Sequence, residues 1–195
     1  MNEQPPFTAY SAGSIAYSHK QTDYVTPHSH DHTEVVYYIS GKGLANIYGE
    51  TLYNFRFDED SSAVIPPQRK HDEYSATETE IVCNQVDVEG DAFAQPHFFK
   101  KTAKTAELFG RIKSRMLEIN RLYCGLKTGP DREAEVCLDD LLSRLGIDLC
   151  CLISQSEKGG KYYYTDIVTA VKSYIRKHFD VKIDFSILAE SFGYS

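Results

Sequence analysis

The sequence predicts an α+β protein with an antiparallel β-barrel first, a pair of long helices second and a short helical segment last. Three observations carry this. Between residues 34 and 88, short runs rich in β-branched and aromatic residues alternate with turn signals, and no helix-length segment interrupts them. From 102 to 153, apolar residues recur at spacings of three and four, the period of a helix with one apolar face. After the polar stretch SQSEKGGK at 154–161, helical periodicity resumes towards the end of the chain.

Composition bounds the function. A chain of 195 residues can bury one core and still carry an extension. Charged residues make up 25% and hydrophobic ones 42%, ordinary for a globular domain. No apolar run approaches the roughly 18 residues of a membrane span, and MNEQPPFTAY has no basic-then-apolar leader. A cytoplasmic protein with no membrane partner is expected. Five cysteines (Cys83, Cys124, Cys137, Cys150 and Cys151) form neither a C-x-x-C pair nor an even disulfide framework, so reduced thiols are expected. The net charge of −7 denies a general basic footprint, so any contact with nucleic acid must come from a small local surface.

The elements follow in order. Residues 1–12 read as an arm, with strand-like pieces at Ile15-Ala16-Tyr17 and Tyr24-Val25. Strands are expected at 34–40, 43–48, 51–57, 62–66, 72–76 and 80–88, within a barrel domain of 13–100. The Gly41-Lys42-Gly43 stop reads as a hairpin turn. A first helix spans 102–124, with Phe109, Ile112, Met116, Ile119 and Tyr123 along one seam and Thr102 or Thr105 as its cap. Gly129-Pro130-Asp131 opens a second, with Glu133 and Glu135 favourable to its dipole and a stripe of Leu138, Leu141, Leu142, Leu145, Leu149 and Leu152. These two helices form a unit at 101–153, followed by a linker at 154–163. A third helix is expected at 164–179, and a short one capped by Asp184 carries Ile187, Leu188, Ala189 and Phe192.

Chemistry concentrates in His28–Gly43, read HSHDHTEVVYYISGKG. His28, His30, Glu34, Val36 and Tyr38 share parity, so an extended chain places them on one face. His32 has the opposite parity and is expected to face solvent. His19, His97 and His178 read as surface or ordinary structural histidines. The spacing H-x-H-x3-E-x6-G, met by His28, His30, Glu34 and Gly41, resembles the first motif of the cupin β-barrels. Pro66-Pro67 followed by His71 resembles the second motif, with Gln68 where cupins usually have glycine and Ser75 where they usually have asparagine. Ala189 and Gly193, four apart, with Ser195 as the next N-cap, resemble the start of the helix-turn-helix domain of AraC-type transcription regulators. The combination covers about residues 10–88 and 165–195.

This resemblance implies a cupin, jelly-roll-like barrel in which His28, His30, Glu34 and His71 converge. Three imidazoles and a carboxylate suit Zn²⁺, Ni²⁺, Fe²⁺ or Mn²⁺. AraC-type cupins also use these side chains to hold an organic effector without a metal, so His28, His30, Glu34, Tyr38 and His71 are equally the candidate effector site. The effector is expected to be a small molecule, with a sugar among the classes that a tyrosine face could stack on. In such regulators the helices after the barrel form a homodimer interface. Phe109, Ile112, Met116, Ile119, Leu138, Leu142, Leu145 and Leu149 are the candidates, with an intramolecular hairpin as the alternative. Ala189, Gly193 and Ser195 would scaffold a truncated DNA-binding unit, so DNA is expected as a partner of the full-length protein and not of this chain. The leading expectation is a non-catalytic, ligand-sensing transcription regulator. A metal-dependent cupin enzyme of the dioxygenase or isomerase class is the alternative, and a ligand-free dimerisation module a third.

Overall fold

The computed structural model describes residues 11–19, 24–49, 52–88, 93–126 and 131–156. Nine strands and two helices occur there: β1 Ser11–His19, β2 Tyr24–His28, β3 Thr33–Ser40, β4 Gly43–Ile47, β5 Tyr53–Phe57, β6 Ser61–Ile65, β7 His71–Ser75, β8 Thr79–Val86, β9 His97–Lys100, α1 Ala106–Leu126 and α2 Arg132–Ser156. Two antiparallel sheets result, a five-stranded one ordered β1-β8-β3-β6-β9 and a four-stranded one ordered β2-β7-β4-β5. This is the α+β barrel-and-helices architecture that the strand and helix periods predict. The candidate helix-turn-helix residues Ala189, Gly193 and Ser195, and both helices expected after 163, lie outside the described residues.

Several expectations need correction. The Gly41-Lys42-Gly43 turn is not a hairpin, because β3 pairs with β6 and β8 while β4 pairs with β5 and β7. It is a corner that carries the chain from one sheet to the other. Gly41 takes a φ of 91°, the left-handed region that glycine enters freely. At Gly43 a Cβ would collide with the Tyr74 carbonyl and the Phe57 ring. The expected arm loses its last two residues to β1, and the expected linker loses 154–156 to α2. Strand β9 is missed by the sequence because its four residues hold only two apolar side chains; pairing to the edge of β6 makes it a strand.

Burial explains why some strands alternate and others do not. The inward faces of both sheets share one core of Val36, Tyr38, Ala45, Ile47, Phe55, Phe57, Ala63, Ile65, Ile81 and Cys83. The other face of the five-stranded sheet, through Val35, Tyr37, Val64 and Val82, packs under the helices. Strands β3, β6 and β8 are therefore covered on both sides and buried along nearly their whole length, serine and asparagine side chains included. Strand β5 keeps a solvated face and alternates, with Phe55 and Phe57 inward and Asn54 and Arg56 outward.

Helix α1 begins after Thr105, whose carbonyl accepts from Phe109 N at 2.9 Å. Asp131 caps α2, its Oδ1 accepting from Glu133 N at 3.0 Å and Ala134 N at 3.2 Å. The residues expected to meet a second copy are buried inside one protomer. Phe109, Ile112, Met116 and Ile119 are at most 1% exposed, and Leu138, Leu142, Leu145 and Leu149 at most 9%. They form the α1–α2 seam and its floor on the sheet, the intramolecular alternative, each fully buried side chain contributing about 2–3 kcal/mol. The physical reason is that the outer face of the five-stranded sheet is itself apolar and must be covered. One charged group sits in this layer. Asp148, 0% exposed, receives Arg111 Nε and Nη2 at 3.4 Å and is paired with Arg115, which also donates to Arg144 O at 3.1 Å. Neither helix is long and apolar enough to cross a membrane.

Candidate functional site

Four side chains converge at one end of the barrel: His28, His30, Glu34 and His71, with donor atoms all within 4.8 Å of one another. The strand-parity argument for this convergence is only partly what the chain does. His28 ends β2 in the four-stranded sheet, His30 lies in the connecting loop, and Glu34 opens β3 in the five-stranded sheet. The cluster forms because the chain crosses between sheets from 29 to 32. A bulge aims the first ligand. Val25 pairs with Glu73 but His28 pairs with His71, so one extra residue is accommodated at Thr26-Pro27 on an edge strand. That shift sets the His28 and His71 rings 4.2 Å apart, with His30 at 4.9 Å and 5.4 Å from them.

Backbone carbonyls set the imidazoles. His28 Nδ1 lies 2.8 Å from Thr26 O and His71 Nδ1 lies 2.9 Å from Arg69 O, each two residues back in its own chain. A carbonyl only accepts, so both Nδ1 atoms carry a proton and each Nε2 lone pair is left for the cluster. His71 Nε2 is buried 2.9 Å from Glu34 Oε2 without hydrogen-bond geometry to any described partner, and His30 Nε2 is 3.5 Å from the same oxygen. Three nitrogens and a carboxylate oxygen facing one point are the donor set of a borderline divalent metal, and these residues fit one.

The electrostatics agree. Burial pushes the Glu34 carboxyl up, but the His30 and His71 imidazoles beside it outweigh that and hold the group at about 2. For His71, burial lowers the imidazole, yet contact with Glu34 and the Arg69 carbonyl leave it raised. Beneath the cluster, Glu73 is pushed up to about 7, chiefly by burial, against a bond donated by Tyr38 OH at 3.0 Å and with Glu34's charge adding to the rise. Tyr38 also stacks on Phe57 at 3.9 Å. It lines the cavity with His28, Glu34 and His71, and the space left there is only about 20 Å³, room for about one water or one ion.

Sequence reasoning missed the tie between the two ligand loops. Gln68 N–H donates to His30 O at 2.7 Å, and its side-chain amide donates to Asp31. Gln68 holds φ at 60°, the left-handed conformation that explains why glycine is usual at this motif position. The departure from the motif was the available signal. His32 turns away from the cluster and meets Asp87 Oδ1 at 2.5 Å. His97 lies in β9, stacked with Phe99.

The model of the AraC-like ligand binding domain matches residues 11–127, more than half of the chain and all nine strands. This protein belongs to that family. The match covers the barrel, its four-residue cluster and α1. No curated protein matches the chain. Among solved structures, Bacillus subtilis oxalate decarboxylase is 20% identical over 40% of this chain and 21% of its own, with a TM-score of 0.36. An oxalate oxidase is 22% identical over 38% of this chain and 41% of its own, also at 0.36. Tomato vicilin is 13% identical over 45% of this chain and 25% of its own, at 0.35. The chain thus spans less than half the length of each, and such scores carry nothing about activity.

Proposed function

We propose that this AraC-like ligand binding domain is the sensing part of a DNA-binding transcription regulator, and that a divalent transition metal at His28, His30, Glu34 and His71 is the effector. One observation carries the metal reading. Four donors gather within 4.8 Å of one another, two with their tautomer set by a carbonyl, and three of them (His28, Glu34 and His71) line a space of about 20 Å³. That space suits an ion, whereas a sugar beside Tyr38 would have to displace the Tyr38–Phe57 stack. A bound metal would supply charge that draws the Glu34 and imidazole donors together. The chain's own part is to hold Nε2 lone pairs inward and to keep Glu34 ionised.

The role is non-catalytic: beside the four donors no room remains for an organic substrate. Control of transcription is then a linkage effect, in which the ion must bind two arrangements of the regulator with different affinity. Strand β3 supports such coupling, since Glu34 and Tyr38 face the site while Val35 and Tyr37 pack under α1. Homodimerisation belongs to the proposal too, through surface outside the buried α1–α2 seam.

The test is native mass spectrometry with elemental analysis after equilibration with Zn²⁺, Ni²⁺, Fe²⁺ and Mn²⁺ in turn. One ion per chain, lost in His71→Ala, is the expected result. A chain that takes up none of the four ions overturns the metal reading, and a monomeric mass counts against the homodimer.

A further inference from the structure

The outer face of the four-stranded sheet carries a second feature, remote in chemistry from the histidine cluster. Strand pairing sets Arg56 opposite Leu44, Leu44 opposite Tyr74, and Tyr74 opposite Tyr24, one row across all four strands. The neighbouring row, Asn54, Asn46 and Asp72, is closed on itself. Asn54 Nδ2 donates to Asn46 Oδ1 and Asn46 Nδ2 to Asp72 Oδ1, both at 2.7 Å, while Tyr24 and Tyr48 donate to Asp72 Oδ2. Asp72 is consequently 3% exposed on a face that is otherwise solvated.

The first row is not closed in this way. A groove of about 700 Å³ opens over it, lined by Lys42, Leu44, Asn54, Arg56 and Tyr74 and bounded by Asp58 and Lys100. That is the size range of small-molecule sites. Lys100 is already matched to Asp58 at 2.9 Å. Among the described residues Lys42 and Arg56 have no ion-pair partner, so the lining presents two cations beyond the Lys100–Asp58 pair, in a chain whose net charge is −7. Leu44 and the Tyr74 ring, 41% exposed, give the same lining an apolar and aromatic part.

We propose that this groove is a binding site for a small organic anion, a carboxylate or phosphate ester on a flat apolar body. The guanidinium of Arg56 suits an oxyanion through its paired donors, Lys42 adds a point charge, and the body lies on Leu44 and Tyr74. A neutral ligand would leave both cations unmatched, and a sugar would find the neighbouring amide row already hydrogen-bonded. The site is separate from the barrel cavity, whose volume of about 20 Å³ could not admit such a molecule.

Amide chemical-shift mapping of the full chain with phenyl phosphate, benzoate and neutral benzyl alcohol tests this. The two anions should shift amides in 42–44, 54–58 and 74–76 saturably, with benzyl alcohol binding at least about tenfold more weakly. Whichever anion binds more tightly identifies the headgroup. Arg56→Gln and Lys42→Gln, both at exposed positions, should each weaken binding by about tenfold while metal uptake at the barrel cluster stays as in the parent. Equal binding of benzyl alcohol, shifts centred on His28, Glu34 and His71, or affinity unchanged in the double variant would each overturn the assignment. Metal uptake is read separately, so failure here and failure of the metal reading are distinguishable.

Discussion

Gln68 is the position at which a substitution separates backbone strain from side-chain contact. Its φ of 60° places a residue with a Cβ in the left-handed region, which costs about 1–2 kcal/mol relative to glycine. Against that, its amide donates to Asp31 and its backbone N–H donates to His30 O at 2.7 Å. Gln68→Ala keeps the strain and loses the Asp31 bond, a loss of about 1 kcal/mol. Gln68→Gly loses the same bond but relieves the strain, partly offset by the greater freedom of glycine in the unfolded chain. The glycine variant should therefore be more stable than the alanine variant by about 1 kcal/mol, which is about 2–4 °C in Tm for a chain of this length. Urea unfolding at constant m reads the difference directly. Because both variants untie Asp31, their Ni²⁺ affinities should fall by a similar factor of about three to ten, as expected for a group that orients ligands from outside the coordination set. A glycine variant less stable than the alanine one refutes the strain argument. Unchanged metal affinity in both refutes the alignment role.

Two further outcomes are expected. Asp148→Ala removes the buried acceptor of Arg111 and Arg115 and should destabilise the helix layer by about 3 kcal/mol, read as a lower urea midpoint; an unchanged midpoint would show that the cluster contributes nothing. In the metal-free protein Glu34 sits at about 2 against an ordinary 4.5, so its ion pairs stabilise fully above 4.5 and are lost as pH falls towards 2, a loss of about 3 kcal/mol. His71 is raised above its ordinary 6.5, so its contribution is complete below 6.5 and fades as pH rises through its folded value. Stability should peak between about 4.5 and 6.5, and Glu34→Gln should flatten the profile; an equally steep acid limb in that variant removes Glu34 as the cause.

The sequence by itself determined the order and type of most elements. The short β-branched and aromatic runs between turn signals from 34 to 88 and the helical seams at Phe109–Tyr123 and Leu138–Leu152 are local patterns, legible without the rest of the chain. It also named the four donors, because the spacing of His28, His30 and Glu34 and the position of His71 are one-dimensional facts. What it could not determine was where each apolar face finds its cover. A stripe such as Ile112 and Leu142 looks the same whether it meets a second chain or its own sheet; here it packs in one cluster with the apolar outer face of the β3 sheet. Likewise β3 and β4 read as a hairpin until their partners are known, since a glycine turn serves a corner as well as a reversal. The β2 bulge, the Gln68 tie and the Arg56–Leu44–Tyr74 row all join residues distant in sequence or depend on a one-residue slip in pairing. These are properties of register and sheet crossing, which tertiary structure alone supplies because pairing energy depends on the partner strand and not on the strand's own sequence.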